Sequence, residues 1–316
     1  MIKKHNKLSW RKDKYDKRDF IHKVDIGAGL PITYSLSSCC PDVRDQGNLG
    51  SCTGFGIGGI LTGLSKQQNI YTQWFSPEWI YNGARYIEGT LSEDAGAEPG
   101  DCLSWIKQMG CLLESYWPYN PYILDTRTPP TADDAPALKY PILTYTRVTG
   151  GSTGICSALA AGNFVTIGTP WFDSWMNPPI TGVLPTVSIT SSLAGGHQTF
   201  LYGYDQASKL FFGQNSWGTA WGKSGTYLMP FSVFDSVFNA LGGYDAYYVS
   251  VSWGALPTPE QVPPIIRLQE SKDNGLTWTD LYKSSIKIYS IMPQLKLEKS
   301  NNGGVIWSQM YKGSIK

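Results

Sequence analysis

Hydrophobic and polar positions along this chain follow two different periods. Ser51 to Lys66 has the length of a helix, and Ser76-Pro77-Glu78-Trp79 reads as a helix start with Ser76 as the cap and Pro77 in the first turn. Asp101 to Leu113 sets Leu103, Ile106, Met109 and Leu113 at helical spacing. Later the period shortens. Phe164 to Ile167, Gln198 to Tyr204, Lys209 to Gly213 and Thr226 to Met229 are short, aromatic and β-branched, with Gly, Asn or Asp at their ends, and these are predicted strands. Helices first and strands afterwards predict an α+β arrangement of two lobes over residues 41–253.

The two ends read differently. Residues 1 to about 25 crowd Lys, Arg and Asp around Trp10, Tyr15 and Phe20, so residues 1–40 form an arm. The arm is either a solvated tail or a short strap docked through its aromatics. Residues 254–264 hold Pro257, Pro259, Pro263 and Pro264 and read as a stiff linker. The remainder, 265–316, is an internal repeat: Ile265–Lys287 aligns with Gln294–Lys316, matching Ser271 to Ser300, Gly275 to Gly304, Trp278 to Trp307 and Tyr282 to Tyr311.

Composition narrows the functional classes. The chain has 316 residues, 41% hydrophobic and 13% aromatic, which excludes a disordered polymer. A net charge of +1 points to neither a nucleic acid nor an acidic membrane surface. The longest apolar stretch, Phe55 to Leu64, falls well short of the roughly 18 residues of a membrane span. The basic N-terminus is followed by no apolar segment, so no secretory signal is expected and synthesis is expected in the cytoplasm. Six cysteines include no CxxC, and with three histidines no structural zinc and no cofactor are expected.

Candidate chemistry centres on Cys52, in Gln46-Gly47-Asn48-Leu49-Gly50-Ser51-Cys52. A helix N-terminus favours a thiolate, so this cysteine is a candidate nucleophile, although a buried structural cysteine is the commoner fate. Its main-chain N–H and the Gln46 amide would receive an oxyanion. His197, in Ala194-Gly195-Gly196-His197-Gln198, is the one histidine of the globular region and starts a predicted strand. Asn215, in Gly213-Gln214-Asn215-Ser216-Trp217-Gly218, offers an amide oxygen to the imidazole, and Trp217 would shield that bond from water.

These three segments, in this order, resemble the papain-like cysteine peptidases. Phe75-Ser-Pro-Glu-Trp79 and Glu114-Ser-Tyr-Trp-Pro118-Tyr119 extend the likeness over about residues 41–253. The resemblance implies the two-lobed papain-like fold and endopeptidase activity on a polypeptide substrate. It implies Cys52 as nucleophile, His197 as acid and base, Asn215 as the residue orienting the imidazole and Gln46 as oxyanion donor. Gly96, Gly196 and Trp217 would line the substrate site. Leu49 stands where relatives usually have a cysteine, so the usual disulfide of that loop cannot form, and Thr53 replaces the usual tryptophan. Glycines at 54, 56, 58, 59 and 63 each cost a helix about 1 kcal/mol relative to alanine, which predicts either a close approach by the opposite lobe or a poorly formed helix. Asp94 and Glu98 would favour basic substrate side chains if they are not simply solvated.

The repeat resembles the Asp-box of β-hairpin turns, as Ser271-Lys-Asp273-Asn-Gly275-Leu-Thr-Trp278 and Ser300-Asn-Asn302-Gly-Gly304-Val-Ile-Trp307. A small β-hairpin module of this kind buries little by itself, which points to packing on the first domain, on a second copy in a homo-oligomer, or in a larger assembly such as a virion. Two further functions follow. One is a structural or attachment protein of a virus or phage particle that uses the peptidase fold as scaffold, and the other is a hydrolase of cell-wall peptides.

Overall fold

The computed structural model of the chain describes residues 8–14, 16–17, 19–24, 29–70, 73–129 and 140–253, together with the backbone of 265–270, 279–280, 295–300 and 308–313. Three helices come first: α1 (Cys52–Gln67), α2 (Pro77–Ile87) and α3 (Pro99–Met109). Ser76 caps α2, its Oγ accepting from Trp79 N at 3.0 Å while its own hydrogen goes to the Trp117 carbonyl. Gly110, at φ +76°, ends α3 before the apolar period does. Leu112 and Leu113 are buried beyond it in extended chain, Leu113 bridging to Phe75.

The later segments, with two short strands from the N-terminal stretch, build one sheet. Its strands are β1 (Phe20–Ile21), β2 (Thr33–Ser35), β3 (Thr144–Arg147), β4 (Val165–Phe172), β5 (Leu193–Asp205), β6 (Leu210–Gln214), β7 (Thr226–Pro230) and β8 (Asp245–Ser250). Their order is β1-β3-β8-β4-β5-β6-β7, with β2 added to β5. All pairs are antiparallel except β1 with β3. Helix α4 (Gly151–Ala160) precedes β4, its first turn held by Asp235, which accepts from Ser152 N at 2.7 Å. Within residues 1–40, read from the sequence as an arm, Phe20–Ile21 and Thr33–Ser35 pair into this sheet.

Helix α1 lies between the two halves, and its glycines explain how. A Cβ on Gly59 would meet the Phe200 ring at 2.5 Å, on Gly63 the Phe164 ring at 2.7 Å and on Gly56 the Thr166 hydroxyl at 2.9 Å. These three face the strand half, and the helix is well formed. Gly54 and Gly58 face the other way: a Cβ on Gly54 would overlap the Pro77 carbonyl, and one on Gly58 would come within 3.2 Å of the Phe75 carbonyl. So two of the five let α2 approach within its own lobe, rather than admitting the opposite lobe.

The C-terminal unit is described by itself. Strands β9 (Ile265–Glu270), β10 (Thr279–Asp280), β11 (Leu295–Ser300) and β12 (Ser308–Gly313) form an antiparallel sheet in the order β10-β9-β11-β12. Leu268 pairs with Leu297, its equivalent in the second repeat. Thr279 pairs with Glu270 as Ser308 pairs with Lys299, again at equivalent positions. The duplicated sequence thus folds about a local two-fold axis. Asp273, Gly275, Trp278, Asn302, Gly304 and Trp307 of the Asp-box reading lie outside the described residues.

Because the Pro77 carbonyl is backbone and cannot swing aside, Gly54→Ala is expected to destabilise by about 1–3 kcal/mol through overpacking. In an exposed helix the same change would gain about 1 kcal/mol. Urea unfolding checks the sign: a lower midpoint at unchanged slope is expected, and a raised midpoint would contradict the contact.

Candidate active site

Cys52 is the first residue of α1 and is fully buried. Ser51 does not cap the helix; its hydroxyl pairs with Tyr119 OH at 2.6 Å, and Tyr119 OH donates to the Gln46 carbonyl at 2.7 Å. The helix mouth is therefore shaped by a chain from Gln46 through Tyr119 to Ser51. The thiol lies beside the main chain of Gln198, the residue after His197.

His197 stands on β5 opposite Thr169 of β4, and Asn215 follows β6. Their polar atoms meet at 2.7 Å, His197 Nε2 to Asn215 Oδ1. The same oxygen accepts from Ser216 N at 2.7 Å, and a main-chain N–H can only donate. That fixes Oδ1 as the acceptor and puts the imidazole hydrogen on Nε2. Nδ1 is left as the basic nitrogen, and it finds no hydrogen-bond partner among the described residues. Trp217 stacks on the ring with centroids 4.5 Å apart, and Trp171 meets it edge-on at 4.8 Å. Two indoles thus keep water from the His197–Asn215 bond.

Gln46 is held at both ends of its amide. Nε2 donates to the Leu49 carbonyl at 2.9 Å, and Oε1 accepts from Ser216 Oγ at 2.7 Å. Gln46 N also donates to Ser216 O at 2.8 Å, and Asp45 bridges to Trp217. The loop before α1 is thereby pinned to the loop carrying Asn215.

The N-terminal arm crosses this site. Trp10 N donates to Gly196 O at 3.0 Å and Arg11 N to Ala97 O at 3.3 Å, with Trp10 bridging parallel to Ala97. A Cβ on Gly96, whose φ is +74°, would overlap the Ser9 carbonyl oxygen, and one on Gly196 would overlap that of Trp10. So Gly96 and Gly196, expected to receive substrate, receive the arm. The Trp10 indole covers Gly168, and its Nε1 donates to Asp245 at 3.2 Å. Ser9 Oγ gives its hydrogen to Gly50 O at 2.6 Å and sits 3.6 Å from Cys52 Sγ. Its one hydrogen being used, that hydroxyl accepts from the thiol.

The charge state follows. Burial pushes the Cys52 thiol up, against the lowering expected of a helix N-terminus and of its hydrogen bonds to Ser9, Gln198 and Thr53. Burial likewise pushes His197 down to about 4, despite the Asn215 bond that favours its cation. Burial thus favours the neutral form of both.

Asp94, offered above as a selector of basic side chains, instead accepts from Gly50 N at 2.9 Å and from Tyr81 OH at 2.6 Å. The Glu98 main chain donates to Glu88 at 3.0 Å. All six cysteines are free thiols. Sequence reasoning missed Trp171 and Ser9. Trp171 is one aromatic in an apolar strand and Ser9 one polar residue in a charged arm, so neither carries a local signal. Among the described residues no group of His, Cys, Asp or Glu is placed to hold a metal ion, and no helix is long and apolar enough to cross a membrane.

Comparison with known proteins places this geometry. Xylellain, a cysteine protease from Xylella fastidiosa, superposes with a TM-score of 0.68 at 24% identity, over 80% of this chain and 100% of that one. The Carica candamarcensis cysteine protease CMS1MS2 gives 0.54 at 19% identity, over 71% and 100%. An uncharacterised peptidase C1-like protein of Acanthamoeba polyphaga mimivirus is 30% identical over 197 residues, 59% of this chain and 63% of its own. The gamete and mating-type specific protein A of Dictyostelium discoideum is 28% identical over 217 residues, 69% of this chain and 46% of its own. The matched stretch therefore spans less than two thirds of either relative. The family profile described as papain family cysteine protease matches residues 34–234. Since that match takes in Cys52, His197 and Asn215 and covers more than half of the 316 residues, the chain belongs to the papain family of cysteine proteases.

Proposed function

We propose that the chain is a cysteine endopeptidase whose site is covered by its own N-terminal arm. The observation that carries this is the imidazole: with Nε2 committed to Asn215, Nδ1 is a buried base without a partner, the group a thiol nucleophile requires. With the cleft open, the Cys52 proton passes to His197 Nδ1 and the sulfur attacks a peptide carbonyl. The oxyanion is received by Cys52 N–H and Gln46 Nε2. Collapse of the tetrahedral adduct breaks the C–N bond, and His197 gives the proton to the departing amine. Water, deprotonated by His197, then hydrolyses the thioester and restores the thiol. Asn215 holds the ring in register through both halves, and Trp217 and Trp171 keep it dry.

Gly96 and Gly196 bind substrate main chain in the place the arm occupies, a strand-addition mode. The arm resists cleavage there because the Ser9 carbonyl is turned to Gly96 and its hydroxyl to the thiol. Residues 265–316 are read as a separate module for self-association or attachment to a larger assembly, and the mimivirus relative favours a viral setting. Attachment and catalysis are compatible on one chain, and the ordered imidazole favours the enzyme over a bare scaffold.

Trp10→Ala empties the indole seat, and both peptide hydrolysis and iodoacetamide labelling of Cys52 are expected to rise about tenfold, a part of the about 3–5 kcal/mol that truncating a fully buried Trp costs, since Trp10 is half-buried. In the parent, the half-buried Cys39 is expected to label first. Unchanged Cys52 labelling would contradict the covering role. On the Trp10→Ala background, Gln46→Ala is expected to lower kcat by about 10²–10³ with little change in KM, as for loss of one oxyanion donor. Steady-state kinetics on a fluorogenic peptide decide it, and an unchanged kcat would remove Gln46 from the mechanism.

A further inference from the structure

The half of the Asn215 amide that does not touch His197 belongs to a residue lining a small cavity. Gln198, Arg44, Trp74, Phe55 and Phe200 line it as well, and its volume is about 10 Å³. Four buried polar atoms of these residues have no hydrogen-bond partner among the described residues: Asn215 Nδ2, Gln198 Oε1, Arg44 Nη1 and Trp74 Nε1. Asn215 and Gln198 are only 4% and 0% exposed. Neither amide can be turned over. Asn215 Oδ1 is fixed as an acceptor by Ser216 N. Gln198 Nε2 donates to Thr166 Oγ1 at 2.8 Å, and the Thr166 hydrogen goes to the Thr199 carbonyl at 3.1 Å, so that hydroxyl can only accept and Oε1 is the oxygen left over. The cavity is thus ringed by three donor groups and one acceptor, in a site where an unmade hydrogen bond costs the desolvation of its group.

We propose that this cavity binds one water molecule and that Gln198, acting through it, is a positioning residue for Asn215. The catalytic consequence rests on the peptidase reading above; the water site does not. A water needs about 10–15 Å³, so the volume admits one and no more. The three donors repel a cation and the Gln198 oxygen repels an anion, which leaves a molecule that both donates and accepts. A buried water typically makes about three hydrogen bonds. Here it donates to Gln198 Oε1 and accepts from Asn215 Nδ2 and from one of Arg44 Nη1 and Trp74 Nε1.

The hydrogens then all point away from the imidazole. His197 Nε2 donates to Asn215 Oδ1, Asn215 Nδ2 to the water, the water to Gln198 Oε1, Gln198 Nε2 to Thr166 and Thr166 to the Thr199 carbonyl. Each bond polarises the next, so the chain makes Asn215 Oδ1 a stronger acceptor, above all for an imidazolium. Burial and the Asn215 bond are the causes acting on the His197 imidazole, with opposite signs, so weakening that bond lets burial prevail further. The charged group at the cavity, Arg44, is paired through Nη2 with Glu114 at 2.7 Å.

Two readouts need no catalysis. A high-resolution crystal structure of the full chain is expected to show a water within hydrogen-bond distance of Asn215 Nδ2 and Gln198 Oε1, and a dry cavity there would overturn the proposal. Gln198→Met keeps the side-chain volume and removes the acceptor. In the full chain with Trp10→Ala and Cys52→Ala, where the imidazole titrates without the arm's indole or the thiol, it is followed by NMR with and without Gln198→Met. Support for the cation raises the His197 midpoint, so its loss is expected to lower that midpoint by about half to one pH unit, the range of one hydrogen bond. A merely structural glutamine would cost stability and leave the midpoint in place, and equal midpoints would overturn the positioning role. Thr166→Val, which takes away the anchor of the Gln198 amide, is expected to move the midpoint the same way by less, and decides the matter if Gln198→Met does not fold. With Cys52 present, on the Trp10→Ala background, Gln198→Met is expected to lower kcat about three- to tenfold at unchanged KM. A background that cleaves no peptide would strike the peptidase reading instead, while the crystal structure and the titration still decide the water and its effect.

Discussion

Removing the Cys52 thiol and the His197 imidazole from water is the constraint on which this structure turns. Burial penalises the charged form of each and favours thiol and imidazole, where the proposed mechanism needs thiolate and imidazolium. The cover is polypeptide rather than a loose lid. The arm lies between Ala97 and Gly196, Trp10 N donating to Gly196 O and Arg11 N to Ala97 O, and the Ser9 hydroxyl accepts from the thiol. Blocking the cleft and discharging the pair are thus two effects of one contact.

The same contact depends on small residues at distant places in the chain. Gly96, Gly168 and Gly196 each stand where a Cβ would overlap the arm, and they come from the segment before α3, from β4 and from β5. Beneath them, the glycine faces of α1 bring Cys52 against the strand half. The Gln46–Ser216 pair ties the loop before Cys52 to the loop carrying Asn215. Cys52, His197 and Asn215 are therefore placed by backbone.

Much of this was legible in the sequence. Ser76-Pro77 announces a helix because a hydroxyl cap and a proline are both suited to its first turn, and α2 starts there. Cys52, His197, Asn215 and Gln46 were found because each sits in a motif whose neighbours have local jobs. Other features were hidden. The apolar spacing to Leu113 outran α3, because burial continues in extended chain after Gly110 turns the backbone. Strand β5 begins at Leu193 rather than Gln198, since the register with β4, not the propensity of Ala194-Gly195-Gly196, makes it a strand. Asp13, Asp19, Arg147 and Asp245 look like solvated charges until the arm folds across the sheet. Their convergence on one guanidinium is a property of tertiary placement.

The central claim is that the docked arm holds the catalytic pair neutral. With three histidines in the chain, the His197 imidazole can be followed by NMR as the pH is lowered, in the intact protein and in Trp10→Ala. The account predicts a neutral ring, with its hydrogen on Nε2, down to about 4 in the intact chain, and protonation at clearly higher pH once the arm is loosened. An imidazolium at neutral pH in the intact chain would contradict it.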